Sequence, residues 1–507
     1  MAGSVWVYAV SKRQTIVSNK FVCIHGHFYQ PPRESPWLDT VEPQESAQPY
    51  HDWNERVTAE CYLPNAGAAL FNPMDNSTQY VNNYEKISFN FGPTLLLWMK
   101  SNHPTLLQSI IDADIKSRAR FNGHGNAIAQ AYNHIIMPLA NSRDKFTEIY
   151  WGIQDFEYYF KRKPEGLWLP ETAVDLESLD FMSEMGIKFT ILAPSQAKRG
   201  RALQTDTWSE TVSTEIPYLQ RLPSGRSIII FFYDGAIAHG VAFDKLLTDG
   251  GVFAKQLMDS QPKSKTANAL IHIATDGESY GHHHRFGEMS LAYALQQLDN
   301  TNDIALTNYG QFIDIQPPEF EVDILPNSSW SCTHGIERWR NNCGCNTGQG
   351  FHQEWRGPLR AALDWLRDQL APVYETTLSH YIKDPWRARN DYITVINNRD
   401  QFDHFIQSHA TRRLNHQEKM LVLKWCELQR YTLLMYTSCG WFFDELSGIE
   451  TIQIIRYAGR AIQLADNLTH VNYETEFLKR LEMIPSNIES IGNGANLYQQ
   501  FVKPFIM

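Results

Sequence analysis

The chain has 507 residues, 43% of them hydrophobic and 20% charged, which describes a large globular protein of two or three domains with ample core. A net charge of −11 argues against a nucleic-acid partner, for which a basic face would be expected, and no run of about eighteen apolar residues is present to span a membrane. Aromatic residues make up 12% of the chain, a content suited to stacking on sugar faces and equally to filling a large core.

Residues 1–20 lack the apolar centre and small-residue cleavage site of an export signal, so they read as a poorly ordered leader and a cytoplasmic location is expected. Residues 21–24 form the first apolar run, a strand that delivers His25-Gly-His-Phe-Tyr-Gln-Pro-Pro32. His25 and His27 alternate along an extended segment and so share a face, with Gln30 just beyond. An isolated H-x-H pair serves as metal ligands, as hydrogen-bond donors to a ligand, or as satisfied core residues. Residues 37–64 are polar, proline-dotted and without period, which predicts a long excursion over the mouth of whatever the strand enters.

Residues 93–100 and 104–116 carry apolar side chains at helical spacing. His124 follows between Gly123 and Gly125, whose missing side chains let a ligand or backbone come close; a plain turn histidine is the competing reading. Residues 144–161 form an amphipathic helix that Pro164 ends. In Gly166-Leu-Trp-Leu-Pro-Glu-Thr-Ala173 a short buried strand is stopped by Pro170, which has no N–H for the ladder, and Glu171 is thereby presented at the strand's mouth. The competing role for Glu171 is to cap a helix over 175–185.

Strand and helix patterns then alternate: helix 175–185, strand 188–192, a loop, strand 227–233, helix 243–258, strand 269–274. Such alternation predicts a parallel sheet, and polar clusters behind several strands predict a barrel with its site at the strands' C-terminal ends. One cluster holds Asp234 and His239; another, Thr275-Asp-Gly-Glu-Ser-Tyr-Gly-His-His-His284, is the most polar strand exit in the chain. Asp276 and Glu278 alternate, so on an extended backbone they share a face. Beyond Asn308 the pattern changes to a polar, thiol-bearing loop over 327–345 and then to helices over 355–381, 416–436 and 449–466. Cys332, His334, Cys343 and Cys345 are zinc-ligand types at spacings tighter than the usual C-x2-C, which reads either as a structural zinc site or as free thiols packing barrel to helices. The seven cysteines, an odd number in a long chain, fit reduced thiols better than a disulfide framework. No folded cap is expected after the last helix, as in a piece of a longer protein.

Two carboxylates on separate strand ends, Glu171 and Asp276, are equipment for glycosidic bond cleavage, one attacking and the other moving the proton. At this point the chain resembles glycoside hydrolase family 57, retaining α-glucan-active enzymes built on an incomplete (β/α)7 barrel. The resemblance runs through five ordered motifs: His25-Gly-His-Phe-Tyr-Gln-Pro31; Gly123-His-Gly125 with Tyr132-Asn-His-Ile-Ile-Met-Pro138; Trp168-Leu-Pro-Glu171; Asp276-Gly-Glu-Ser-Tyr-Gly281; and Ser438-Cys-Gly-Trp-Phe-Phe-Asp444, which lacks the family's aspartate after the serine. It implies Glu171 as nucleophile and Asp276 as acid/base, with no cofactor and no metal. It further implies His25 and His27 as sugar-contacting donors, Trp168 as a subsite wall, and Gln30, His124, Asp234, His239, Glu278 and Trp441 as further substrate contacts. The implied architecture is an α/β chain: a barrel over 21–320, then a mainly helical domain over 321–507 that contributes to the cleft. The implied partner is an α-glucan or malto-oligosaccharide. Two other classes stay open on the residues alone: a metal-dependent hydrolase or deacetylase with zinc on His25, His27 and Asp276, and a glucan-binding protein without turnover. Nothing in the sequence decides between water and a second sugar as acceptor, or sets the oligomeric state.

Overall fold

The computed structural model describes residues 19–72, 74–260 and 266–506, so the leader expected over 1–20 lies almost wholly outside the described residues. Seven parallel strands among them follow one another round a ring: β1 (Lys20–Phe28), β2 (Ser88–Phe91), β3 (Ala129–Gln130), β4 (Leu167–Trp168), β5 (Phe189–Leu192), β6 (Ser227–Phe232) and β7 (Ala269–Asp276). β1 is central, paired in parallel with β7 from Lys20 to His27 and with β2 from His25 to Phe28. The ring continues by the Phe89–Ala127 bridge, the β3–β4 pair, the Gly166–Phe189 bridge and the β5–β6 pair. Between β6 and β7 closure thins to backbone contacts such as Asp234 N–H donating to the His272 carbonyl at 2.8 Å. The ring is thus the barrel that the alternation predicts, in the incomplete (β/α)7 form that the resemblance implies.

Strand lengths follow burial. β1 is buried at all nine positions, as a strand covered on both faces must be, and it runs four residues past the expected Ile24, so that His25 and His27 lie inside the ladder. The outer layer includes α1 (Pro93–Asn102), α2 (Pro104–Arg120), α3 (Ser142–Phe160), α4 (Leu176–Glu184), α5 (Gly235–Ala242), α6 (Gly250–Asp259) and α7 (Gly287–Asp299). Of the helix expected over 243–258 only the part from Gly250 onward is α-helix, because Asp249 caps its start by accepting from the Gly251 and Val252 amides, and Leu246–Thr248 before it is a 3-10 turn. The loop expected between β5 and β6 holds two strands: Ala197–Ala202 runs antiparallel to Phe320–Ile324, and Tyr218–Arg221 runs antiparallel to β6 and parallel to Phe320–Ile324.

After residue 324 no strand occurs among the described residues. The long helices there are α8 (Arg356–Leu378), α9 (His416–Leu434) and α10 (Ile449–Thr469), within three residues of the expected ends. Two further helices, Glu474–Leu481 and Gly494–Phe501, follow where no fold was expected. One continuous apolar core runs from the barrel strands into these helices, with Trp168, Trp355, Trp425 and Trp441 all fully buried in it. No described helix is long and apolar enough to cross a membrane.

Candidate active site

Glu171 sits in a short 3-10 turn (Pro170–Thr172) that ends β4, and both Glu171 (φ 56°) and Thr172 (φ 51°) are left-handed. Two successive non-glycine residues there, one of them β-branched, cost roughly 1–3 kcal/mol each and must be held by their surroundings. The holding groups are specific. Gln196 takes the Thr172 hydroxyl on its side-chain oxygen at 2.8 Å and donates to the Thr172 carbonyl at 2.8 Å. The segment after residue 325 zips onto the turn through Asn327 N–H to the Val174 carbonyl, Val174 N–H to Ser328 and Trp330 N–H to Glu171. The helix-cap role belongs to Asp175, whose carboxylate accepts from the Ser178 amide at 2.8 Å, so Glu171 is left free of it.

The Glu171 carboxylate receives two donors on one oxygen, the Ser331 hydroxyl at 2.7 Å and the Trp330 indole N–H at 3.1 Å. Burial raises its pKa above the ordinary glutamate value, while Ser331, Trp330 and the Arg338 guanidinium pull the other way. Asp276 is the last residue of β7, and it is exposed at the strand's end, although enough protein surrounds its carboxyl to desolvate it. Burial first, and the Glu171 charge second, push its pKa up to about 7. Two carboxyls on separate strand exits, electrostatically coupled and with one titrating near neutrality, are the pattern of a proton donor beside an anion.

Glu278 is a different case. β7 ends at Asp276 and residues Gly277–Ser279 turn in a 3-10 helix, so the strand alternation that was to put Asp276 and Glu278 on one face is broken. Gly277 makes that turn possible: a Cβ there would meet the Phe28 ring at 2.3 Å. Glu278 is 5% exposed and accepts from the Tyr29 amide at 2.9 Å and from the Tyr62 hydroxyl, with its pKa raised to about 8 by burial and then by Asp276. It stands behind the cleft rather than in it.

His25 and His27 do share an inward face, stacked on Trp168 with centroids 5.1 and 4.9 Å away. His25 is fully buried with both nitrogens engaged, by Ser88 at 3.0 Å and the Asn90 oxygen at 3.1 Å. It therefore has no nitrogen left for a sugar. The Asn90 amide donates to His27 Nδ1 at 2.9 Å, so the proton of neutral His27 is on Nε2, pointing at His134 Nε2 3.2 Å away. Burial pushes the His25 and His27 pKa values down to about 3, so neutral rings are what the site contains. A zinc ion on His25, His27 and Asp276 does not fit this donor set, because the lone pairs it would need are spent inside the protein.

The expected contacts elsewhere scatter. His124 lies at the opposite, N-terminal end of the strands, between Glu165 at 2.9 Å and Asp314 at 3.0 Å. Asp234 caps α5 through the Ala236 and Ile237 amides, and His239 is exposed on that helix beside Asp244. Gln30 is used up holding Arg33 and the Tyr29 carbonyl. Trp168 is fully buried beneath the histidines, and Trp441 is fully buried with its indole on the Arg356 carbonyl at 3.2 Å.

Residues not singled out from the sequence take their places. Trp330, half-buried, is the aromatic that borders the cleft, against Trp168 at 5.0 Å and Tyr233 at 6.4 Å. Tyr233, one residue before Asp234, faces Asp276. His134 stacks on Tyr29 at 3.7 Å and hydrogen-bonds the Ser438 hydroxyl at 2.7 Å across 304 residues of chain. Ser438 precedes a short helix, Cys439–Phe442, whose first thiol lies against Tyr29 and close to Glu171, where the fifth motif lacks its aspartate. A neighbouring cavity of about 760 Å³, lined by Glu34, Trp98, Arg430 and Tyr457 among others, includes neither carboxyl.

A barrel with paired carboxyls at its strand exits and an aromatic border defines a carbohydrate-active enzyme by geometry. The sequence agrees: the model for Glycosyl hydrolase family 57 matches residues 24–324, and the chain belongs to that family. A second model, Domain of unknown function (DUF3536), matches residues 351–507. No curated protein matches the chain in sequence. Among solved structures, the exo-type maltose-forming amylase of Pyrococcus sp. ST04 superposes with a TM-score of 0.68 at 14% identity, covering 96% of this chain and 88% of its own. The family 57 branching enzyme of Pyrococcus horikoshii gives 0.56 at 16% identity, covering 96% and 97%. The 4-alpha-glucanotransferase of Thermococcus litoralis gives 0.54 at 14% identity, covering 89% of this chain and 60% of its own. At these identities the likeness is one of fold.

Proposed function

We propose that this enzyme cleaves α-glucans with retention of configuration, Glu171 forming the glycosyl-enzyme and Asp276 first giving and then taking the proton. The observation that carries the reading is the coupled carboxyl pair: Glu171 receives two hydrogen bonds suited to an anion, while Asp276, raised to about 7 by burial and then by Glu171, is suited to hold a proton. The neutral chain from Asn90 through His27 and His134 to Ser438 supports it as a rigid polar floor that adds no charge beside a developing oxocarbenium ion. We place the boundary between a barrel over 21–320 and a helical domain over 321–507 in the same proposal, with Ser438 and Cys439 as the helical domain's share of the cleft. A cytoplasmic setting, which keeps thiols reduced, suits the free cysteines. The substrates named for the superposing enzymes point to maltose-forming, branching or glucan-transferring chemistry. Incubation with amylose and with glycogen, with products resolved by chromatography and anomers by NMR, tests it: α-configured products support the reading, and β-anomers or no products contradict it.

The pair sets the pH response. Step one needs Glu171 ionised and Asp276 protonated, so kcat/KM should fall as pH rises through about 7, where Asp276 loses its proton. On the acid side the limb should lie above the ordinary glutamate range, because burial raises Glu171. Both limbs belong to the coupled pair rather than to one residue. Ser331→Ala removes a donor that favours the Glu171 anion, so its acid limb should move to higher pH and its rate fall by about 10- to 100-fold, the scale of one hydrogen bond to a charged group. A profile identical to wild type would remove Ser331 from the account. Stability carries the opposite signature. Asp276 has a folded pKa above its ordinary 3.8, so the folded state loses stability as pH rises from about 4 to about 7. Asp276→Asn should therefore melt higher than wild type at pH values above 7 and no higher in acid, as calorimetry would read.

A further inference from the structure

The segment that carries Trp330 and Ser331 runs on into a cluster of thiols that neither family model covers, since the matches stop at 324 and resume at 351. Cys332, His334, Cys343 and Cys345 each offer one ligand atom, and all four atoms lie within 4.8 Å of one another. Two of the separations match the edges of a zinc tetrahedron. Cys332 Sγ and Cys345 Sγ are 3.8 Å apart, and Cys345 Sγ lies 3.5 Å from His334 Nδ1. In a tetrahedral zinc site with Zn–S of about 2.3 Å and Zn–N of about 2.0 Å, the edges come out at about 3.8 Å for S···S and about 3.5 Å for S···N. The separation of 3.8 Å is far too long for a disulfide, whose sulfurs bond at about 2.0 Å.

The tight spacings have a local cause. Gly344 is left-handed (φ 80°) and folds Cys343 and Cys345 towards one point, and Gly335 (φ 81°) closes the turn in which its amide donates to the Cys332 carbonyl at 3.1 Å. Three thiolates and a neutral imidazole around a divalent ion leave one negative charge. Arg356 answers it with its guanidinium 3.9 Å from Cys343 Sγ, and Arg338 also acts on Cys345. Residues 340–354 hold no helix or strand, a length at which loops inside a compact domain are uncommon and usually functional.

We propose that Cys332, His334, Cys343 and Cys345 bind one zinc ion as a closed site of three sulfurs and one nitrogen that pins the 330–345 loop over Glu171. Binding releases the three thiol protons, changes no oxidation state, and leaves no coordination position for substrate. The site stands on its own geometry. Its consequence for catalysis, the placing of Ser331 next to Cys332, rests on the reading of Glu171 as nucleophile.

The test uses the full chain, purified in reductant without a histidine tag. Elemental analysis should find one zinc per chain, falling to background in Cys345→Ser. Cobalt substitution should give thiolate charge-transfer and tetrahedral ligand-field bands in wild type, absent from that variant. Should Cys345→Ser not fold, His334→Ala, at an exposed side chain, serves in its place. Chelation of wild type should raise amide exchange across 327–345 and lower the rate by about tenfold, the cost of loosening one charged-group hydrogen bond, both reversed by zinc. Wild-type protein that holds no zinc, that holds iron in its place, or whose mass shows a Cys332–Cys345 disulfide overturns the proposal. Zinc with unchanged exchange on its removal overturns the pinning. Zinc with raised exchange and an unaltered rate leaves the site standing and contradicts the catalytic reading of Glu171.

Discussion

Glu171→Gln is expected to lower turnover by on the order of 10⁴-fold or more without loss of the fold. An amide can still accept from Ser331, so the turn at 170–172 keeps a partner, but it can neither attack an anomeric carbon nor steady an oxocarbenium ion. The melting temperature should hold or rise at neutral pH. Burial raises the folded pKa of Glu171, so its ionised form costs stability as pH climbs through that value, and a neutral amide avoids this cost. Rate and melting have to be measured on one preparation. Near wild-type activity would dismiss Glu171, and loss of rate together with loss of fold would be read on Glu171→Asp instead.

The second large effect concerns Asp276. Asp276→Ala should fail on natural glucan, whose leaving oxygen needs a proton, yet still be glycosylated by an α-glycosyl fluoride, whose fluoride departs without one. The next step then lacks its base. Azide requires no deprotonation and should restore turnover of the fluoride, giving an α-glycosyl azide. Glu278→Ala is the comparison, and the structure makes its outcome specific. Glu278 is 5% exposed and holds the Tyr29 amide and Tyr62 hydroxyl, so its loss should show in melting more than in the chemistry, with no azide rescue. Rescue of the Glu278 variant and not the Asp276 variant would exchange their roles.

Much of the fold was legible because its signals are local. Strand and helix alternation from residue 166 onward gives parallel neighbours by itself, and helical periodicity located α8, α9 and α10 to within a few residues. The two carboxyls were legible for the same reason: Glu171 follows a strand that Pro170 stops, and Asp276 opens the most polar strand exit in the chain. What failed depended on distant partners. His124 carries the same glycine flanks that a ligand contact would have, and only the chain's return at Glu165 and Asp314 shows it to be held between two carboxylates at the far end of the barrel. His134 falls inside the second motif, but nothing near it in the sequence told its role, since its partner Ser438 is 304 residues away. Trp441 lies in the right motif, but on a one-turn helix the residue two positions earlier, Cys439, is the one turned to the cleft. Trp330 and Ser331 sat in a polar loop about 160 residues after Glu171, so only the folded chain brings them to it.

The measurement closest to the central claim is trapping of the glycosyl-enzyme. A 5-fluoro-α-glycosyl fluoride slows both steps and the second more, so the intermediate should accumulate, and peptide mapping by mass spectrometry should find a single fluorosugar ester within residues 166–173, on Glu171. A label on Asp276 or Glu278, or turnover with no labelled species under conditions where a known retaining α-glucan enzyme is trapped, would contradict the account.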